Sequence, residues 1–214
     1  MPTSSFPSPS VWRGPSPLVL ASTSSTRRML LESAGLVVEA RAPGVDERAV
    51  EADCTGQDPK SSPEGLALRL AEAKAFAVAQ TCPDRVVVGA DQVLDADGRV
   101  FHKPTSLEEA RAQIGELAGR THALHSAVAI VQGGRVESFV ETARLTLRPL
   151  DPDAIAAYVA LAGADRVRAS VGGYQLEGLG IHLFDRVEGD HSTILGLPLL
   201  PLLARLRASG LLTF

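Results

Sequence analysis

Val86-Val87-Val88-Gly89-Ala90-Asp91-Gln92-Val93-Leu94 is an apolar run with one carboxylate set inside it. β-Branched residues in succession, bounded by turn residues, fit a strand buried on both faces. A carboxylate in such a strand is desolvated at a cost of several kcal/mol unless a partner compensates it. Two readings of Asp91 fit the pattern. It either makes a satisfied hydrogen bond or helix cap, or it binds a cation or takes a proton at a strand end, where open α/β sheets place their chemistry. A short turn at Asp95 to Gly98 precedes Lys103-Pro104, which returns a lysine close to that carboxylate.

Upstream, Leu18-Val19-Leu20-Ala21 reads as a short buried strand, Ser22 to Ser25 as a hydroxyl turn, and Thr26 to Ala34 as a helix closed by Gly35. One of the hydroxyls is explained as an N-cap. Arg27 and Arg28 are not, because cations at a helix start oppose the helix dipole. An anion held there by backbone N–H groups, Ser22, Ser24 and an arginine fork would remove the conflict, and a solvated arginine pair is the competing reading. Leu36 to Ala42 predicts a second strand running into the acidic turn Gly44-Val45-Asp46-Glu47. Ala52 to Ser61 is polar with Gly and Pro and is expected to be a mobile loop. Ser62-Pro63-Glu64 then opens a helix whose apolar stripe is Leu66, Leu70, Ala73 and Ala77, with Lys74 at the flank of that stripe.

Downstream, Ser106 to Glu109 is a capping box for a helix that Gly119 stops. His122 and His125 begin a strand through Val131, and their spacing puts them on opposite faces, against a shared metal. Gly133-Gly134 predicts a hairpin turn to a strand over Val136 to Leu147, and Asp151-Pro152 caps a helix closed by Gly163. The glycines of Val171 to Gly180 suggest close backbone approach, without the spacing of a dinucleotide-binding turn. Ile181 to Val187 predicts a further strand, Gly189 to Thr193 a polar loop, and Gly196-Leu197-Pro198-Leu199 leads into a last apolar helix.

The 214 residues suffice for one α/β domain, expected over 18–214. Residues 1–17 are rich in Ser and Pro, lack the apolar core of a signal peptide, and are expected to be a disordered leader. A formal net charge of −4 argues against nucleic acid as a partner, and no run has the length of a membrane span. Cys54 and Cys82 lack metal-type spacing and read as free thiols of a reducing cytoplasm.

Taken in order, these pieces resemble the Maf family of nucleoside triphosphate pyrophosphatases. The resemblance lies in Leu20-Ala21-Ser22-Thr23-Ser24-Ser25-Thr26-Arg27-Arg28-Met29-Leu30-Leu31, Gly44-Val45-Asp46-Glu47, Lys74, Gly89-Ala90-Asp91-Gln92-Val93, Lys103-Pro104, Tyr174 to Gly178 and Gly196-Leu197-Pro198-Leu199. Each motif is weak alone; the ordered set is specific. It implies an α/β fold in which an elongated mixed β-sheet carries helices on both sides around a central cleft. It also implies hydrolysis of a nucleoside triphosphate to the monophosphate and pyrophosphate with Mg²⁺ or Mn²⁺, in a homodimer. The implied roles are Asp91, Lys103 and Lys74 in catalysis; Ser22, Ser24, Arg27, Gln92 and Glu177 in substrate binding; Glu47 and Asp91 at the metal.

Gln92 and Glu177 stand where the branch acting on 7-methyl-GTP carries them, whereas the dTTP/UTP-type members resemble Ala-Asp-Thr on the strand and have a glutamine at the position of Glu177. A carboxylate can accept from the N1–H and N2–H₂ of guanine and faces a cationic methylated ring. The chain departs from that branch in having Ala90 where a serine is commoner, and from the dTTP/UTP type in having Ser170 in place of a lysine. The expected substrate is therefore 7-methyl-GTP. The alternatives are dTTP/UTP, a deaminated purine triphosphate such as ITP or XTP, or a nucleotide-binding inhibitor of septum formation with little catalysis.

Overall fold

In the computed structural model, which describes residues 10–54 and 62–214, the quoted run forms the central strand of a mixed sheet. Leu18–Ala21 (β1) is fully buried and lies parallel to both Val38–Ala40 (β2) and Val87–Ala96 (β3). Ser25–Ser33 (α1) makes the crossover between β1 and β2, while Glu47–Ala52 (α2) and Pro63–Ala79 (α3) precede β3. Arg99–Phe101 (β4) turns back on the end of β3. After Leu107–Leu117 (α4), the strands Thr121–Gln132 (β5), Arg135–Leu147 (β6) and Phe184–Glu188 (β7) continue the sheet antiparallel, in the order β2-β1-β3-β5-β6-β7. Pro152–Ala162 (α5), Ala164–Ala169 (α6), His191–Ile194 (α7) and Leu199–Ala208 (α8) complete the described helices. No helix among the described residues is long and apolar enough to cross a membrane.

Strand alternation divides the core between the two faces. Val87 and Val93 pack with Leu66, Leu70, Ala71 and Val78 of α3 on one face. On the other, Val88 and Ala90 meet Leu202 and Leu206 of α8, and Leu94 meets Ile114, Leu117 and Ile155 of α4 and α5. Gly89 lets α3 lie directly on the sheet, since a Cβ there would come 2.3 Å from the Ala71 carbonyl oxygen and 2.6 Å from the Ala75 nitrogen.

One feature of the register shapes everything at the site. β1 accompanies β3 only as far as Gly89, and β4 joins it only from Leu94. Between them Ala90 to Val93 are paired with β5 alone, so a window opens in the sheet on their other side.

Five expectations change, and residues 1–9 of the expected leader lie outside the described residues. Residues 10–17 are ordered: Trp12 is buried among Leu18, Leu206 and Leu212, bridges to Leu212, and donates its indole N–H to the Ser16 carbonyl at 2.8 Å. One large apolar side chain outweighs the Ser/Pro composition around it. The second strand shrinks to Val38–Ala40, Leu36 serving the core from outside it, and β7 starts only at Phe184 because Leu179–Leu183 coil into a tight 3₁₀ turn. Glu47–Ala52 and His191–Ile194 are helices where a turn and a loop were expected, each started by a capping aspartate, Asp46 and Asp190. Of the expected mobile loop, residues 55–61 lie outside the described residues.

Candidate active site

The window opens onto a cavity of about 1010 Å³. Asp91 points through it toward α3, and Gln92, the next residue, points to the opposite face toward α7. The cavity wraps the bare strand edge and touches both.

Lys74 is not at the flank of the α3 stripe. It sits within the stripe, between the buried Ala71 and Ala75, with 6% of its surface exposed. Its ammonium hydrogen-bonds Asp91 Oδ1 and lies 2.6 Å from Glu47 Oε1. Asp91 is equally enclosed, whereas the Glu47 side chain stays open to water. Desolvation of Asp91 is thus compensated by a buried cation, the arrangement in which removing either partner is most costly.

Arg27 resolves the conflict at the start of α1 in a way that the motif did not suggest. Its Nε donates to the Gly196 carbonyl and its Nη1 to the Ala90 carbonyl, both at 2.8 Å, with a longer contact from Nη1 to Ser22 Oγ at 3.5 Å. The Ala90 carbonyl is a strand-edge group left without a strand partner where β1 stops. Gly196 has φ +87, which favours glycine, and a Cβ there would crowd the guanidinium at 3.3 Å. Burial pushes the Arg27 guanidinium below its ordinary value, opposed by the charges of Asp91 and Glu47. Nη2 has no protein partner among the described residues and remains available to an anion. Ser24 is the N-cap, accepting from the Arg27 backbone N–H at 3.3 Å. Arg28 turns outward to Glu32 and does not line the cavity.

Lys103, at the end of the β4 hairpin, and Glu177, after the Gly172-Gly173-Tyr174 turn, line the same cavity from other sides and are exposed. All nine residues expected at the site border it. Arg48, Glu51, His102, Thr105 and Glu109 also border it and were not anticipated. The signal for the first two was the i, i+1, i+4 spacing of Glu47, Arg48 and Glu51, legible only once α2 is recognised as a helix. His122 and His125 do lie on opposite faces: His122 meets Tyr174, and His125 meets Thr142. No cluster of three or more metal-type side chains occurs among the described residues. Glu47 and Asp91 supply two carboxylates, a donor set that suits a hard divalent ion whose remaining ligands are substrate phosphates and water.

A family model described as Maf-like protein matches residues 17–209. A nucleoside triphosphate pyrophosphatase of Nitrobacter hamburgensis is 54% identical over 95% of this chain and 98% of its own. One from Nitrobacter winogradskyi is 51% identical over the same shares. A 7-methyl-GTP pyrophosphatase of Rhizobium johnstonii is 51% identical over 90% of this chain and 96% of its own.

Proposed function

Since this chain belongs to the Maf family, we propose that it hydrolyses a nucleoside triphosphate to the monophosphate and pyrophosphate, and that 7-methyl-GTP is the substrate. The observation carrying the reaction is the convergence of Arg27, Lys74 and Lys103 on one cavity with Asp91. A departing pyrophosphate needs cations where its charge develops, and here they come from three separate segments of the chain. The first N–H groups of α1, together with Arg27 Nη2, suit the phosphate chain. Asp91 orients a water and accepts its proton as the water attacks phosphorus, and Lys74 fixes the carboxylate for that task. Mg²⁺ or Mn²⁺ would be held by Glu47 and Asp91, and when bound would neutralise phosphate charge.

For the base, the Gln92 amide nitrogen is already committed to protein acceptors, so its oxygen and the Glu177 carboxylate face the cavity. Acceptors suit the N1–H and N2–H₂ edge of guanine, and Glu177 suits a cationic methylated ring. The Rhizobium relative's name supports the same choice. We further propose a homodimer in a reducing cytoplasm, where free Cys54 and Cys82 are at home.

The test is pyrophosphate release from 7-methyl-GTP, GTP, dTTP, UTP, CTP, ITP and XTP with Mg²⁺ or Mn²⁺. The highest kcat/KM is expected for 7-methyl-GTP. A preference for dTTP and UTP would replace the substrate assignment, and release from none of the seven would overturn the reaction.

A further inference from the structure

Ser126 is fully buried on β5, directly opposite Gln92 in the β3–β5 register, and does not border the cavity. Its hydroxyl donates to the Thr193 carbonyl at 2.7 Å and accepts from Gln92 Nε2 at 2.9 Å. Nε2 also faces the Thr193 and Ile194 carbonyls, each at 3.0 Å. Those carbonyls close the C-terminal end of α7, where helix carbonyls lack intrahelical donors. Turning the Gln92 amide over would set its oxygen against two carbonyl oxygens and forfeit the contacts that Nε2 makes with them. The amide orientation is therefore fixed by groups behind the cavity wall. Gln92 Oε1 has no protein partner among the described residues.

We infer that Ser126 is a specificity-determining positioning residue: with the end of α7 it locks the Gln92 amide so that the pocket offers its oxygen, an acceptor, to a base carrying N–H donors on its pairing edge. The inference rests on the proposed reading that the base lies beside Gln92 and Glu177. Without the hydroxyl the amide is held by the two α7 carbonyls alone, so the turned-over orientation, which offers donors and suits uracil as readily as guanine, is less disfavoured. Discrimination should fall while the wall stays in place, because Nε2 loses one acceptor of three.

The experiment measures calorimetric dissociation constants of 7-methyl-GMP, GMP and UMP for the full chain. Binding of monophosphates does not depend on turnover, so it is separable from the hydrolase assignment. The wild type should bind the guanine nucleotides more tightly than UMP by about tenfold or more, the scale of one well-placed polar contact. Ser126→Ala should shrink that ratio several-fold, Ser126→Thr should restore it, and in a Gln92→Ala background Ser126→Ala should change nothing further. Should Ser126→Ala fail to fold, the near-isosteric Ser126→Cys carries the same expectation. An unchanged ratio, an equal loss of affinity for all three nucleotides, a shift that persists without Gln92, or a wild type that does not discriminate would each overturn the inference. Discrimination without any pyrophosphate release would sink the hydrolase reading and leave this one standing.

Discussion

His122 shows what burial does to a single side chain. Its Nε2 meets the Tyr174 hydroxyl at 2.5 Å, both residues are buried, and Phe184 packs on the Tyr174 ring edge at 4.9 Å between centroids. Burial drives the imidazole down to about 4 and raises the Tyr174 phenol, so neither group ionises near neutrality. The unfolded chain takes up the proton as pH falls below the ordinary histidine value, while the folded chain resists. The resulting stability is complete above about pH 6.5 and is lost as pH falls toward 4, roughly 3 kcal/mol in all. His122→Gln should therefore flatten the fall in denaturation midpoint between neutrality and acid pH; a slope equal to the wild type's would contradict the burial argument. The two lysines separate in a complementary way. Lys103 is exposed with no protein partner among the described residues, so Lys103→Ala should lose about 10²-fold or more in kcat with an unchanged melting temperature. Lys74→Ala should lose activity and also about 3–5 kcal/mol of stability, because Asp91 is left buried and unpaired. Unchanged turnover in Lys103→Ala would remove that residue from the mechanism. None of this difference was readable from spacing, which placed Lys74 beside the apolar stripe; only the packing of Ala71 and Ala75 shows that the lysine is within it.

At the scale of elements, α3 on β3 sets the position of the Lys74–Asp91 pair. The contact depends on the missing side chain of Gly89, so Gly89→Ala must lift α3 or bend β3. Overpacking of this kind costs about 1–3 kcal/mol, and Lys74 rides on the displaced helix. Chemical denaturation and kinetics should both register the change; wild-type values in the two together would show that the helix has slack. The long elements were legible in sequence because caps and period agree. Ser62-Pro63 opens α3, Asp151-Pro152 opens α5, and the Gly133-Gly134 turn joins β5 to β6. The short ones were not, since a four- or six-residue helix carries no full apolar period and is held by its aspartate cap and by tertiary bonds such as those from Gln92 to α7. That the nine expected residues line one cavity was legible through motif order, whereas Ser126 was not, because nothing in a strand's sequence tells which buried hydroxyl stands behind a cavity residue.

Over the whole molecule, the first described residues are joined to the C-terminal segment and the centre is left open. Arg13 N–H donates to the Leu211 carbonyl and Thr213 N–H to the Val11 carbonyl, both within 3.0 Å, and Trp12 is buried between them and the β1 core. Trp12→Ala should cost about 3–5 kcal/mol, read by urea unfolding, with kcat unchanged. Stability equal to the wild type's would return residues 10–17 to the status of a loose leader. Composition misjudged this segment because a local average does not register one tryptophan meeting a distant C-terminus.

The open centre is the window between β1 and β4, and Asp91 within it is the proposed general base. The most direct test compares wild type and Asp91→Asn for pyrophosphate release from 7-methyl-GTP, with circular dichroism and thermal unfolding run on both. The substitution keeps shape and a hydrogen-bonding oxygen for Lys74 but cannot take a proton. Loss of release in a folded variant is the predicted result; a folded Asp91→Asn protein with wild-type turnover would contradict it.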